Sequence, residues 1–227
     1  MSTGTDSLEI GIQAGGRSGT VEGLLTRPPR AASLLVLAHG AGAGMRHPFM
    51  EAMAATLAEH GIAALRYEFP YMQRKSRRPD PPAVLQEIVR AATRAAAAAA
   101  PDLPLIAGGK SMGGRMTSLA AAAEPLDGVR GLVFLGFPLH PAGAPASGRG
   151  AHLSRVTVPM LFLQGTRDRL ADLALLRPLL AGIPLAALTT FEGADHSFKA
   201  PKSAGRTEAG TLAMLADAVA QWTKGLA

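Results

Sequence analysis

The chain has 227 residues, of which 48% are hydrophobic and 18% are charged, and this length and composition favour an ordered globular domain. The formal net charge is +6, but the basic residues are scattered except at Arg74 to Arg78, and without a recognition motif they do not predict nucleic-acid binding. The absence of cysteine excludes disulfides, thiolate nucleophiles and cysteine-ligated metals.

The start of the chain and its apolar runs bear on location. The first ten residues lack the basic segment and apolar stretch of a secretory signal. The apolar run Ala95–Ala100 is too short to cross a bilayer. We therefore expect a cytoplasmic protein without membrane contact, in which residues 1–7 form a flexible start.

The predicted elements alternate between strands and helices. Two half-exposed strands come first, and the later strands are short, continuous apolar runs of the kind buried in parallel sheets. In chain order the elements are strands Leu8–Ile12, Val21–Leu25 and Leu34–Ala38, helix Phe49–His60, strand Ile62–Tyr67, loop Glu68–Pro82, helix Ala83–Ala99, strand Leu105–Gly108, helix Met116–Ala123, strand Gly131–Gly136, loop Pro138–His152, strand Val158–Gln164, helix Leu173–Leu180, strand Leu185–Phe191 and helix Thr207–Trp222. This order predicts one α/β domain over residues 1–227, with a mostly parallel sheet covered on both faces.

The strongest functional signal is the segment Gly109–Gly113, which directly follows a predicted strand. Its sequence, GKSMG, matches the nucleophile elbow G-x-S-x-G in the strand–turn–helix context that the motif requires. Such a turn is so sharp that side chains flanking the serine would clash, and the following helix directs backbone N–H groups at the site. Ser111 is therefore the predicted nucleophile, and an ordinary glycine-rich turn is the alternative.

Asp168 and His196 each follow one of the later predicted strands, so we expect them at the same sheet edge as Ser111. Ser, Asp, His is the chain order of the α/β-hydrolase triad, in which histidine takes the serine proton and aspartate orients the imidazole. Considered separately, each is more typical of a solvated loop side chain, and Asp172 is a second candidate for the acid.

Two nucleotide-binding motifs are matched only in part. The residues Gly109 to Ser111 resemble the end of a P-loop, but Pro104 stands where its first glycine is needed. The residues Gly40 to Gly42 resemble the start of a dinucleotide fingerprint, but Met45 occupies the third glycine position. We therefore expect no nucleotide, and the predicted chemistry needs neither a metal nor an organic cofactor.

These features resemble the α/β-hydrolase superfamily, and more narrowly its small, lidless dienelactone-hydrolase-like branch. The resemblance extends from about Val21 to Trp222, and the segments that carry it are His39–Gly44, Gly109–Gly114, Phe137–Pro141, Gln164–Asp168 and Ala194–Phe198. It implies a three-layer α/β/α sandwich whose eight-stranded, mostly parallel sheet has an antiparallel second strand. It also implies no separate lid domain and an open cleft bounded by residues 67–82 and 137–152.

The resemblance implies further site residues. The amides of Ala41 and Met112 form the oxyanion hole, with Gly42 as an alternative to Ala41. The residues expected to contact substrate are His39, Gly40, Gly42, Lys110 and His140. Dienelactone hydrolase uses a cysteine nucleophile where this chain has serine, so its particular substrate does not carry over.

The predicted function is hydrolysis of an ester or thioester of a small acyl substrate through an acyl-enzyme intermediate. The segment Arg74 to Arg78 is either a contact for an acidic substrate or a solvated loop. A non-catalytic interaction protein and an acyltransferase are the alternatives. Non-catalytic relatives usually lose a triad residue or an elbow glycine, and this chain keeps all of them. The sequence carries no signal for an oligomeric state.

Overall fold

A computed structural model of the chain describes residues 3–14, 16–76, 78–201 and 205–226. The strands are β1 (Gly4–Ala14), β2 (Arg17–Arg27), β3 (Ser33–Ala38), β4 (Ile62–Tyr67), β5 (Leu105–Lys110), β6 (Val129–Leu135), β7 (Met160–Gly165) and β8 (Ala186–Phe191). The helices are α1 (Pro48–Glu59), α2 (Pro70–Gln73), α3 (Pro82–Ala99), α4 (Met112–Ala123), α5 (Leu173–Ala181) and α6 (Glu208–Thr223). Short 3-10 helices cover Gly148–Arg155 and Lys224–Leu226.

The eight strands form a single sheet in the order β1-β2-β4-β3-β5-β6-β7-β8. β2 is antiparallel to both of its neighbours, and the six strands β3 to β8 run parallel to one another. The predicted α/β fold, with its antiparallel second strand, is confirmed. Because the central strands are parallel, their carboxyl ends meet at one edge of the sheet.

Two apolar layers cover the two faces of the sheet. Alternate residues of β3 pack into different layers. Leu34 and Val36 pack into the layer that contains α3 and α4, whereas Leu35 and Leu37 pack into the layer that contains α1 and α6. All six residues of β3 are buried, as the continuous apolar run predicted. The three-layer α/β/α arrangement is thereby confirmed.

The start of the chain differs from the prediction. The expectation of a flexible start is wrong for Gly4–Ser7, because these residues belong to β1 and pair with β2. Polar contacts support this part of the β1–β2 pairing, for example that between the Thr5 and Thr26 hydroxyl oxygens, 3.1 Å apart. Because these residues are polar, the apolar pattern used to predict strands does not include them. Met1 and Ser2 lie outside the described residues.

Two predicted loops contain short helices. α2 lies within the predicted loop Glu68–Pro82, where Pro70 begins the helix and Tyr71 is fully buried. The predicted loop Pro138–His152 leads into the 3-10 helix Gly148–Arg155. Within the described residues, no separate lid domain lies between β6 and β7, and no helix is both long and apolar enough to span a membrane.

Candidate active site

The elbow between β5 and α4 holds Ser111 in a strained conformation. Its φ of 52° and ψ of −117° lie in a region that residues with side chains rarely occupy. A Cβ atom at Gly109 would lie 2.6 Å from the carbonyl oxygen of Ala38, and one at Gly113 would lie 2.5 Å from the same atom. Only glycine therefore lets α4 begin so close to β3, with the serine raised at the edge of the sheet.

Ser111, His196 and Asp168 lie within hydrogen-bonding distance in series. The Nε2 atom of His196 is 2.8 Å from Ser111 Oγ, and its Nδ1 atom is 2.7 Å from Asp168 Oδ2. A carboxylate only accepts hydrogen bonds, so Nδ1 carries the proton and Nε2 accepts from the serine hydroxyl. The structure thus brings together the three residues predicted from separate loops, in the arrangement that proton abstraction from serine requires.

The carboxylate of Asp168 is held by further donors. Its side chain is fully buried, and its Oδ2 accepts from Gln164 Nε2 at 2.5 Å while its Oδ1 accepts from the amide of Leu170 at 2.8 Å. Gln164 is itself fixed, because its Oε1 accepts from the amide of Phe137 at 2.9 Å. These contacts orient the carboxylate toward the imidazole.

The other nearby acids have structural roles. Asp172, the second candidate for the acid, caps α5 by accepting from the amide of Ala174 at 2.8 Å. Asp195 accepts from the amides of Ser197 and Lys199 at 2.8 and 3.0 Å and so closes the turn that carries His196. Neither makes the contact to Nδ1 that Asp168 makes.

The glycine-rich loop after β3 faces the elbow. The amide of Gly42 donates to Tyr71 Oη at 3.0 Å. Gly42, the alternative to Ala41 as an oxyanion donor, therefore already has a hydrogen-bond acceptor within the protein. Within the described part of the chain, the amides of Ala41 and Met112 have no hydrogen-bond acceptor. Met112 is also the first residue of α4, where free N–H groups favour negative charge.

His39 supports this loop from beneath. It is completely buried, its Nδ1 donates to the carbonyl of Gly40 at 2.8 Å, and its Nε2 lies 2.8 Å from Glu68 Oε1. The prediction that His39 contacts substrate is therefore wrong, because both ring nitrogens are engaged inside the protein.

A cleft of about 710 Å³ opens beside Ser111, between α1 and α6. Its lining includes Gly40, Ala41, Lys110, His196, Phe198 and Leu212. The predicted boundaries are wrong, since none of the described residues in 67–82 or 137–152 lines it. Of the other residues expected to contact substrate, Gly40 and Lys110 line the cleft, whereas Gly42 does not.

His140 is also misassigned as a substrate contact. It is buried, and its Nε2 accepts from the amide of Asp172 at 2.8 Å while its Nδ1 donates to the carbonyl of Pro141 at 2.9 Å. These bonds tie the segment after β6 to the loop that carries Asp168. The sequence indicates a polar residue beyond a strand end, and that pattern does not distinguish a tether from a ligand.

A second serine–histidine contact lies away from the cleft. The Oγ atom of Ser118 is 2.7 Å from His152 Nε2, and both residues are buried. Burial and the positive charges of Arg115 and Arg155 lower the pKa of His152 to about 4. No carboxylate contacts this imidazole within the described residues, and Ser118 does not line the cleft, so the pair has the features of a packing contact.

Sequence reasoning missed three residues around the site: Gln164, Tyr71 and Phe198. Gln164 is the next-to-last residue of the otherwise apolar, buried strand β7, and a polar residue there is a usable signal because it needs an internal partner. Phe198 has a φ of 61° and lines the cleft. No sequence signal predicts either property of this residue. The described residues contain no group of three or more His, Asp or Glu that could hold a metal ion.

Comparison with known proteins places this geometry in a family. Residues 31–224 match the family described as the alpha/beta hydrolase domain. The chain belongs to this α/β-hydrolase family. The fold of this α/β-hydrolase domain is that of the small, lidless, dienelactone-hydrolase-like branch, as three solved structures indicate.

Each of these structures covers nearly the whole α/β-hydrolase domain. The dienelactone hydrolase from Anabaena variabilis is 22% identical, with a TM-score of 0.75 over 97% of this chain and 98% of that one. An alpha-beta serine hydrolase homologue from Coxiella burnetii is 19% identical, with a TM-score of 0.72 over 94% and 96%. A serine hydrolase without a lid from Xanthomonas campestris is 22% identical, with a TM-score of 0.71 over 96% and 95%.

Proposed function

We propose that this protein is a serine hydrolase that cleaves an ester or thioester of a small acyl substrate. The observation that carries the proposal is the series of contacts from Ser111 through His196 to the buried carboxylate of Asp168, beside an open cleft. The names of its structural neighbours, which include an esterase domain from Rhodothermus marinus and two serine hydrolases, agree with this reaction class.

In the proposed first step, His196 Nε2 takes the proton of Ser111 as Oγ bonds to the acyl carbon. The carbonyl electrons move onto oxygen, and the amides of Ala41 and Met112 donate to this oxyanion. When the carbonyl re-forms, the bond to the leaving group breaks, and His196 gives that group the proton.

In the second step, water attacks the acyl-enzyme and His196 accepts its proton. Collapse of the second tetrahedral intermediate releases the acid and returns the proton to Ser111. The His196 side chain is 25% exposed, so water can reach the imidazole once the leaving group has departed. The reaction needs no metal or organic cofactor.

We further infer that residues 1–227 form one domain that acts in the cytoplasm on a small molecule, without nucleic-acid or membrane partners. One sheet containing all eight strands supports the single domain. The basic segment offers little to an acidic partner, because Arg74 is paired with Asp80 at 2.5 Å and its described residues do not line the cleft. Arg77 lies outside the described residues.

The decisive experiment is labelling with a fluorophosphonate probe, followed by mass spectrometry of the adduct. We expect labelling of the wild type at Ser111, none in Ser111→Ala, and full labelling in Ser118→Ala, the matched control at the second serine–histidine contact. An unlabelled but folded wild type, or an adduct on Ser118, would overturn the proposal. Product analysis of the unlabelled wild-type enzyme, incubated with an ester substrate and added alcohols, then separates hydrolysis from acyl transfer.

A further inference from the structure

Lys110, the residue that precedes the nucleophile, carries a charge that the proposed mechanism does not use. The side chain lines the cleft, yet its Nζ atom is buried and has no hydrogen-bond partner among the described residues. An ammonium group has three donors. The wall of the cleft therefore holds a buried, unsatisfied cation on the residue next to Ser111.

The ammonium lies among other residues of the site. Its Nζ is 5.7 Å from the centre of the Phe198 ring, which also lines the cleft. A Cβ atom at Gly136 would lie 3.2 Å from Lys110 Nζ and 3.4 Å from His196 Nδ1, so both nitrogens border the same small space. Lys110 is thus close enough to affect the catalytic imidazole electrostatically.

The surrounding charges only partly compensate the ammonium. Burial lowers the pKa of Lys110 to about 8, and Asp168 and Asp195 oppose this shift through their negative charges. The amine is therefore mainly protonated at pH 7. The other titratable groups of the cleft are His47, His196, Lys199 and Glu208, of which Lys199 and Glu208 neutralise each other across 3.2 Å.

The cation–π contact to Phe198 and the charges of Asp168 and Asp195 favour the ammonium, but none of them accepts a hydrogen bond from it. A buried ammonium without an acceptor is costly, and an apolar side chain of the same length could also contact Phe198. An anion bound in the cleft supplies the missing acceptor. The other cation at the cleft, Lys199, already has Glu208 as a partner, which leaves Lys110 as the free donor.

We propose that Lys110 binds an anionic group of the substrate, so that the enzyme prefers acyl chains bearing a carboxylate a few atoms from the scissile carbonyl. This inference rests on the proposed hydrolase function. It names the substrate class and makes Lys110 the residue that determines specificity, whereas the segment Arg74 to Arg78 takes no part.

Binding of the carboxylate also assists catalysis. When His196 takes the serine proton it becomes an imidazolium, which the nearby ammonium disfavours. A substrate carboxylate on Lys110 cancels this repulsion as the imidazolium forms. Anionic substrates therefore gain in kcat as well as in KM.

The test compares the 4-nitrophenyl monoester of glutaric acid with its methyl-capped diester at pH 7, after correction for spontaneous hydrolysis. For the wild type we expect kcat/KM to be about 10- to 100-fold higher for the anionic ester, the range of one charge-assisted contact. In Lys110→Met the ratio should fall to about 1. Lys224→Met, which removes a charge distant from the cleft, should retain the wild-type ratio.

A binding measurement makes the test independent of turnover. Calorimetry on Ser111→Ala with monomethyl glutarate and dimethyl glutarate should show preference for the anion, and adding Lys110→Met should abolish it. Equal use of both esters by the wild type, or a preference that survives Lys110→Met, would overturn the role of Lys110. Absence of any ester hydrolysis with a preserved binding preference would instead refute the hydrolase function alone.

Discussion

At the scale of single residues, Asp168 and Asp172 show how similar sequence signals separate in three dimensions. Both follow β7 within a few residues and both accept backbone hydrogen bonds. Only Asp168 also reaches His196, at 2.7 Å. Order along the chain favoured Asp168, but the contact itself depends on where β8 places the loop that carries His196.

Asp168→Asn should lower kcat by about 10³- to 10⁴-fold, because an amide next to Nδ1 favours the tautomer that cannot accept the serine proton. Asp172→Asn is the matched control, and we expect its kcat to stay within about twofold of wild type, since asparagine also caps helices. Steady-state ester hydrolysis measures both. Comparable losses in the two variants would mean that Asp168 has no special role.

The stability of the protein should rise with pH through the titration of Lys110. Its folded pKa of about 8 lies below the ordinary value of 10.5, so between these values the unfolded chain binds more protons. The free energy of unfolding therefore increases with pH in this window, and the charge costs on the order of 3 kcal/mol below it.

Lys110→Met should remove this rise and be the more stable protein at pH 7, whereas Lys224→Met should keep the rise. Urea unfolding at several pH values between 7 and 9.5 measures it. Burial raises the pKa of Tyr67 above its ordinary 10.0, which lowers stability at still higher pH in all three proteins. The difference between wild type and Lys110→Met isolates the lysine, and identical pH profiles would refute the assignment.

At the scale of elements, the buried strands β3 and β4 were predictable and the first turn of α4 was not. Continuous apolar runs predicted β3 and β4 to within a residue, because buried parallel strands need apolar side chains on both faces. α4 begins at Met112, four residues before the prediction of Met116. Its first turn contains Gly113 and Gly114, which have low helix propensity. Both are explained by close packing, because a Cβ at Gly113 would meet the backbone at the end of β3 and one at Gly114 would meet the backbone of β5.

Gly113→Ala should therefore destabilise the protein by about 3 kcal/mol or more, since the new Cβ meets backbone atoms that cannot move independently. A Cβ there would lie 2.5 Å from the carbonyl oxygen of Ala38 and 2.6 Å from that of His39. Gly19→Ala in β2 is the control, because nothing lies within 4 Å of its Cβ position. Urea midpoints that shift equally in both variants would contradict this explanation.

At the scale of the whole molecule, the position of the cleft depends on how the helices cover the sheet. The cleft lies between α1 and α6, which are distant in sequence, and the described residues of the segment Arg74 to Arg78 lie outside its lining. The family resemblance had implied other boundaries, at residues 67–82 and 137–152. The layer assignment of the helices, which fixes this position, follows from strand order and right-handed crossovers rather than from any local pattern.

Leu212→Phe should reduce kcat/KM for octanoate esters about tenfold relative to acetate esters, because the larger side chain fills cleft volume that only the longer chain uses. A 4-nitrophenyl ester series measures this. Arg78→Ala, in the basic segment, should leave the chain-length profile unchanged. An equal loss for both acyl lengths in Leu212→Phe would show that the acyl chain binds elsewhere.

The sequence by itself determined the alternation of strands and helices, the elbow at Ser111 and the order of its partners, because apolar periodicity and close-packed glycines are local requirements. Only the tertiary structure decided which polar residues line the cleft and which are bound inside the protein. His39 and His140 are buried tethers, Lys110 is an unsatisfied cation of the cleft, and Gln164 supports Asp168. Such roles depend on partners far away in the chain, and the pairing of strands, not the residue itself, selects those partners.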